Sequence, residues 1–120
     1  MSVWTIIQEE LEKNGIDVYP PGIHEGECKK EYVVFKQSGG TQLNDYSSEQ
    51  VMYDFMLYVP KNKYHTLDNF EARVKSVLDA QPLYPMLMPT GSSTPDYFDD
   101  EVKGHMRSFM YRINKRNKHL

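Results

Sequence analysis

The sequence predicts an α+β domain in the order α-β-β-α-β-β, with two helices on one face of a four-stranded, largely antiparallel sheet. Three observations carry this prediction. Two stretches repeat apolar residues every three or four positions, as a half-buried helix does, and two others alternate apolar and aromatic residues as a strand does. Prolines and glycines fall between these stretches and divide them. The length of 120 residues leaves room for one such domain, which buries roughly two-thirds of the unfolded chain's surface.

Val3, Ile6, Ile7 and Leu11 fall at helical spacing, with Ser2 placed as an N-cap and Asn14-Gly15 as a stop, so the chain opens with an amphipathic helix. The stretch from Val18 to Glu31 holds Pro20-Pro21, two glycines and several charges and reads as a loop or an irregular edge. Tyr32 to Gln37 has the β-branched and aromatic content of a strand. Gln50 to Val59 alternates, with Val51, Tyr53, Phe55, Leu57 and Val59 on one face and Met52, Asp54, Met56 and Tyr58 on the other. Between them, Ser38 to Glu49 reads as an extended hairpin tip carrying Gly39, Gly40 and Leu43.

Pro60 ends that strand, and Thr66 is placed to cap a helix whose stripe is Leu67, Phe70, Val74, Val77 and Leu78. Pro82 closes the helix. Leu83 to Pro89 reads as a short edge strand, because Pro85 has no N–H to give a ladder. Thr90 to Gly104 reads as a polar loop. His105 to Ile113 then alternates His105, Arg107, Phe109 and Tyr111 against Met106, Ser108, Met110 and Arg112, which makes the last strand. Residues 1–112 form the domain in this reading, and 113–120 a basic C-terminal tail.

With both helices on one side, the other sheet face holds methionine and tyrosine side chains and nothing remains in the chain to cover it. An apolar face of that kind marks a partner surface, so the sequence predicts self-association. The expected subunit interface is Met52, Met56, Tyr58, Met106 and Met110, whose flexible side chains tolerate an imperfect fit.

Composition narrows the classes of function. Apolar residues make up 39% and charged residues 26%, with 9 Tyr, 5 Phe and 1 Trp, so the chain has the means to build a core. No apolar run approaches the ~20 residues of a membrane-spanning helix, and Glu9, Glu10 and Glu12 stand where an export signal would be apolar. Cys28 is the only cysteine, which excludes an internal disulfide and a Cys₂His₂ or Cys₄ zinc site and suits a reducing cytoplasm. The net charge of −3 is unevenly spread: residues 1–100 carry eight Lys/Arg against sixteen Asp/Glu, and residues 101–120 carry six Lys/Arg against Glu101. The basic end suits non-specific contact with nucleic acid or an acidic protein surface.

No motif points to catalysis, a cofactor or a metal. Asp96, Asp99, Asp100, Glu101 and His105 lack the alternate ligands and central Gly of a calcium loop. Cys28 lies among Glu25, Glu27 and Glu31, which oppose the effect of Lys29 and Lys30 on a thiol, and no nucleophile signature surrounds it. The Gly39-Gly40 stretch lacks the glycine spacing and the Lys of a phosphate-binding loop. The expectation is a protein that is not an enzyme.

Three blocks carry a resemblance to a known family: YVVFKQSGGTQL, SSEQVMYDFMLYVPKNKY and, most specifically, LYPMLMPTGSSTPDYFDDEVKGHMRSFMYR. They resemble the tail-terminator and head-tail joining proteins of tailed phages and of phage-like particles of Gram-positive bacteria, sometimes labelled minor capsid proteins. The resemblance spans residues 30–112. It implies a small sheet flanked by helices and a ring, typically a hexamer, on the head-proximal end of the tail, where it ends tube growth and joins tail to head in the virion. Assembly would take place in the bacterial cytoplasm. The implied partners are sister copies, the tail tube and its sheath, and the neck or head connector, with DNA passing non-specifically through the lumen and no membrane.

Within that reading, Gly39, Gly40, Leu43, Tyr97, Phe98, Asp99 and Asp100 are the expected tube or neck contacts, with the two aromatics as anchors. Arg107, Arg112, Lys115, Arg116 and Lys118 are expected to line the lumen or to meet an acidic partner. Two other readings of the residues are a head-completion, neck or minor capsid protein, and a small nucleic-acid-binding module using the basic C-terminus.

Overall fold

The structure, a computed structural model, describes residues 2–22, 24, 26–42 and 48–116. Helix α1, Val3–Lys13, starts at Ser2, whose Oγ accepts from the Thr5 N–H, and ends where Gly15 takes a φ of 80°. Strand β1 is Val18–Tyr19, β2 is Tyr32–Gln42 and β3 is Ser48–Pro60. A single 3-10 turn, Tyr64–Thr66, leads into helix α2, Leu67–Leu78. Strands β4, Leu87–Ser93, β5, Tyr97–Asp99, and β6, Gly104–Arg116, follow.

The sheet is mixed and has six strands, ordered β1-β2-β3-β6-β4, with β5 also on β6. β1 runs parallel to β2, and every other pairing is antiparallel. β4 and β5 lie one after the other along the outer edge of β6, β4 from Ile113 to Phe109 and β5 from Met106 to Gly104.

The core sits between one sheet face and the two helices. Phe35, Phe55 and Phe109 are in register across β2, β3 and β6, with ring centroids 4.9 and 5.8 Å apart. Ile7 and Leu11 of α1 and Phe70, Val74 and Leu78 of α2 close over this row, all fully buried. Trp4 stacks on Phe35 at 4.6 Å, and Lys75 lays its ammonium 4.8 Å from the Phe109 ring centre. The inward face of β3 is the one read from its alternation: Val51, Tyr53, Phe55, Leu57 and Val59 are all buried.

The architecture departs from the predicted one in several places. The sheet has six strands rather than four, and it is mixed. The additional strands are β1, at the sheet edge in a stretch read as a loop or an irregular edge, and β5, in a stretch read as a loop; strands of two and three residues are too short to show alternation. β2 runs on through Gly39 and Gly40, so these glycines pair with Met52 and Val51 instead of forming the hairpin tip; the register shifts between Gln37 and Gly39, a bulge that leaves Ser38 unpaired.

β4 starts at Leu87, not Leu83. The chain turns from Ala80 to Leu87 through backbone bonds at Leu83, Tyr84 and Leu87, and Pro82 and Pro85 have no N–H for a ladder. β6 continues to Arg116, so four residues assigned to the basic tail, Ile113, Asn114, Lys115 and Arg116, are strand, in register with Val51, Gln50, Glu49 and Ser48. Thr66 occupies the N-cap of α2 but turns its hydroxyl to the Lys63 carbonyl, so it makes no side-chain cap.

The three long strands make the molecule elongated. It measures 51 × 25 × 25 Å, with a radius of gyration of 15.2 Å. A compact chain of this length would have about 13.6 Å.

Candidate functional site

The sheet face turned away from the helices is the candidate surface. Register fixes its members: Tyr58 lies opposite Tyr32 and Met106, Met56 opposite Val34 and Ser108, Asp54 opposite Lys36 and Met110, and Met52 opposite Arg112. The five residues expected to form a subunit interface, Met52, Met56, Tyr58, Met106 and Met110, thus share this one face. Met52, Met56, Tyr58 and Met110 are half-buried, whereas Met106 is 7% exposed.

The face is not as bare as expected, because the chain roofs one end of it. His24 stacks on Tyr32 at 4.1 Å, Tyr32 stacks on Tyr58 at 4.9 Å, and Tyr19 meets both Tyr32 and His24 edge-on. Behind them Cys28 is buried, its N–H bonded to the Val102 carbonyl at 2.6 Å. Gly104 makes room for it: a Cβ there would lie 2.9 Å from both the Cys28 Cβ and the Val59 carbonyl. Burial pushes the Tyr58 hydroxyl up to about 12 and, with Glu27, the Cys28 thiol to about 11, a direction opposite to that of an activated nucleophile.

Ser108 is buried as well, with its hydroxyl 2.6 Å from that of Thr94. What stays half-open is the middle of the face, Val34, Met52, Asp54, Met56 and Met110. Asp54 is the single carboxylate there. Burial raises its pKa and Lys36 opposes the shift.

The expected tube and neck contacts are divided by the structure. Tyr97 and Phe98 lie on β5 and point to opposite faces: Tyr97 pairs with Met106 on the open face, and Phe98 pairs with His105, their rings 5.1 Å apart, on the helix side. Both are exposed, at 49% and 40%. Asp99 accepts the Glu101 N–H at the following turn, and Asp100 is exposed. Gly39 and Gly40 are in β2, and Leu43 lies outside the described residues.

Of the five cations expected to line a lumen, Arg107 is committed elsewhere. It lies on the helix-facing side of β6 and is bound to Asp96 through Nε and Nη2, and to Asp68 and Glu71 through Nη1, at 2.7 to 3.0 Å. Its side chain is 17% exposed, and its acidic partners belong to its own chain. The parity of β6 already contained the signal, since a charged residue in step with Phe109 and Tyr111 needs partners from whatever covers that face. Arg112 is on the open face, Lys115 and Arg116 are in the last residues of β6, and Lys118 lies outside the described residues.

The acidic residues between Asp96 and Glu101 do not converge. Among the described residues no group of three His, Cys, Asp or Glu side chains is placed to hold a metal. A cleft of about 350 Å³ opens between Tyr19, His24, Tyr32 and the Lys29-Lys30 pair, with Lys30 tied to Asp17 at 2.7 Å. Among the described residues no helix is long and apolar enough to cross a membrane.

Compared with protein-family models and with curated proteins, the chain matches none.

Proposed function

We propose that this protein is a structural component of a phage particle, a tail terminator that forms a ring at the head-proximal end of the tail, ends tube growth and joins tail to head. The observation that carries the reading is the half-open middle of the sheet, where Val34, Met52, Met56 and Met110 share a face with Asp54, which lies opposite Lys36, and with Arg112. Methionine side chains adapt to a partner's contour, and a sister copy laid on this face would remove them from water. A standard interface takes ~800 Å² from each partner, about a tenth of this molecule's 7336 Å² surface. The resemblance of residues 30–112 to terminator and joining proteins supplies the setting, and no step of the role calls for catalysis.

A head-completion or neck protein would use the same kind of surface, and ring symmetry separates the two. A six-fold ring matches a tail, and a twelve-fold ring matches the portal side. Particles assembled without this protein test the role directly. Overlong tubes, or finished tails that fail to join heads, are expected. Tails of normal length joined to heads would overturn the proposal.

A further inference from the structure

In the open middle of the sheet, the neighbouring strands β2 and β3 carry different chemistry. β2 brings Val34, Lys36 and Gly39 to this region, and β3 sets Met56, Asp54 and Met52 opposite them. Each row thus joins unlike groups: an aliphatic side chain and a thioether, an ammonium and a carboxylate, a residue without a side chain and a methionine.

The charges of the middle row are uncommitted. Asp54 is half-buried and Lys36 exposed, and among the described residues neither forms a hydrogen bond or an ion pair within the chain. Burial pushes the Asp54 carboxyl up, and Lys36 opposes the shift through space without a bond. A carboxylate held beside methionines is costly until a donor reaches it.

The strip on β2 complements the strip on β3, yet the two stand side by side in one sheet, ~4.8 Å apart, and cannot be laid face to face within one chain. A second copy removes that obstacle. A two-fold axis along the strands, midway between β2 and β3, exchanges the strips between facing copies. Lys36 of one copy then stands over Asp54 of the other and Asp54 over Lys36, while Val34 meets Met56 and Met52 enters the gap above Gly39, each contact made twice. Strands of the two sheets run in one direction, within the ~30° of an aligned packing. The lysine stem covers apolar surface on its way to the carboxylate.

We propose that two copies of this chain pack face to face through these strips, Lys36 of each reaching Asp54 of the other. The proposal rests on the reading that copies cover the open face, and it makes that contact reciprocal; a ring of such pairs closes through other surfaces. The probes are the full chain as wild type, as Lys36→Asp, as Asp54→Lys, as the exchanged form carrying both, and as Asp54→Asn. Light scattering and native mass measurement at low ionic strength read association, and circular dichroism checks the fold.

Lys36→Asp sets carboxylate on carboxylate and Asp54→Lys ammonium on ammonium, so each alone is expected to pair about tenfold more weakly than wild type, or worse. Asp54→Asn should pair several-fold more weakly at an unchanged thermal midpoint, and it carries the test if a reversed variant fails to fold. The exchanged form should pair like wild type. An equimolar mixture of the two single reversals should pair again, and attraction inside one chain cannot produce that recovery, because each single variant carries like charges at both positions. A mixture that fails to recover overturns the proposal. So do Asp54 variants that pair like wild type, which leave the face to the tube or neck and the ring reading standing. A wild-type chain that is monomeric in solution also overturns the pairing, and one that in addition forms no ring on purified tail tubes overturns the ring.

Discussion

Arg107 holds Asp96 at two points, Nε to Oδ1 and Nη2 to Oδ2, each at 2.7 Å. The pair ties the link between β4 and β5 to the middle of β6, and through Nη1 the same guanidinium reaches Asp68 and Glu71 on α2. One side chain therefore fixes the edge of the sheet to the helix that covers it. Replacing it by a residue of similar length, Arg107→Met, keeps the stem but leaves carboxylates facing one another without their cation. The expected cost is about 2–3 kcal/mol, read as a lower denaturation midpoint at an unchanged slope.

The same contact gives the stability a pH dependence. Hydrogen bonding from Arg107, assisted by Tyr64, holds the Asp96 carboxyl below its ordinary 3.8. Between the native value and 3.8 the unfolded chain binds the extra proton, so stability is fully present above that window and falls as the pH drops through the native pKa. Acid unfolding of the wild type should show this component below about pH 4. Arg107→Met should flatten the dependence there, and an unchanged acid profile would show that Asp96 does not sense Arg107.

Trp4 donates its indole N–H to the Phe35 carbonyl at 2.9 Å and stacks on the same residue's ring. The carbonyl lies on the outer edge of β2, beyond the two-residue reach of β1, so the indole occupies an edge position that would otherwise accept a foreign strand. Trp4→Phe keeps a ring but loses the bond, at an expected cost of about 1 kcal/mol. Trp4→Ala loses both, at about 2–4 kcal/mol. As the only tryptophan, Trp4 reports this contact by its own fluorescence in the wild type, and its unfolding transition should coincide with that seen by circular dichroism.

Gly104 is expected to tolerate no side chain. Gly104→Ala sets a Cβ against Cys28 and the Val59 carbonyl and should cost about 1–3 kcal/mol. The thiol itself supplies the readout. Buried and pushed to about 11, Cys28 in the native protein should resist alkylation at pH 8, and the Gly104→Ala variant should react faster in proportion to its opening.

The open face should be separable from stability. Met52→Gln, Met56→Gln and Met110→Gln together change half-buried side chains that contribute little to the core, so the thermal midpoint should fall by only a few degrees. Self-association should be lost. Retained assembly in the triple variant, measured by native mass, would exclude this face as the subunit contact.

Much of the fold was legible because its signals are local. The Ser2 cap, the Asn14-Gly15 stop and the stripe of α2 each lie within one helix, and the alternation of β3 and β6 shows which residues share a face. The gathering of Met52, Met56, Tyr58, Met106 and Met110 on one surface follows from that alternation once β3 and β6 pair in the observed register. The binding of Arg107 was hidden for the opposite reason: its partners lie 11, 36 and 39 residues away in sequence. The indole of Trp4 reaches a carbonyl 31 residues on, and no helical period encodes that.

The amino-acid order alone determined which side chains share a face in β3, β6 and the two helices, because a period of two or of 3.6 is written in neighbouring residues. Tertiary structure decided how far the strands run, which short segments join the edges, and how much of the second face the chain shelters itself. Those outcomes depend on pairing across the sheet: Val18–Tyr19 and Tyr97–Asp99 become strands because β2 and β6 offer them free edges. The roof of His24 over Tyr32 likewise forms because two rings far from any shared period meet in space.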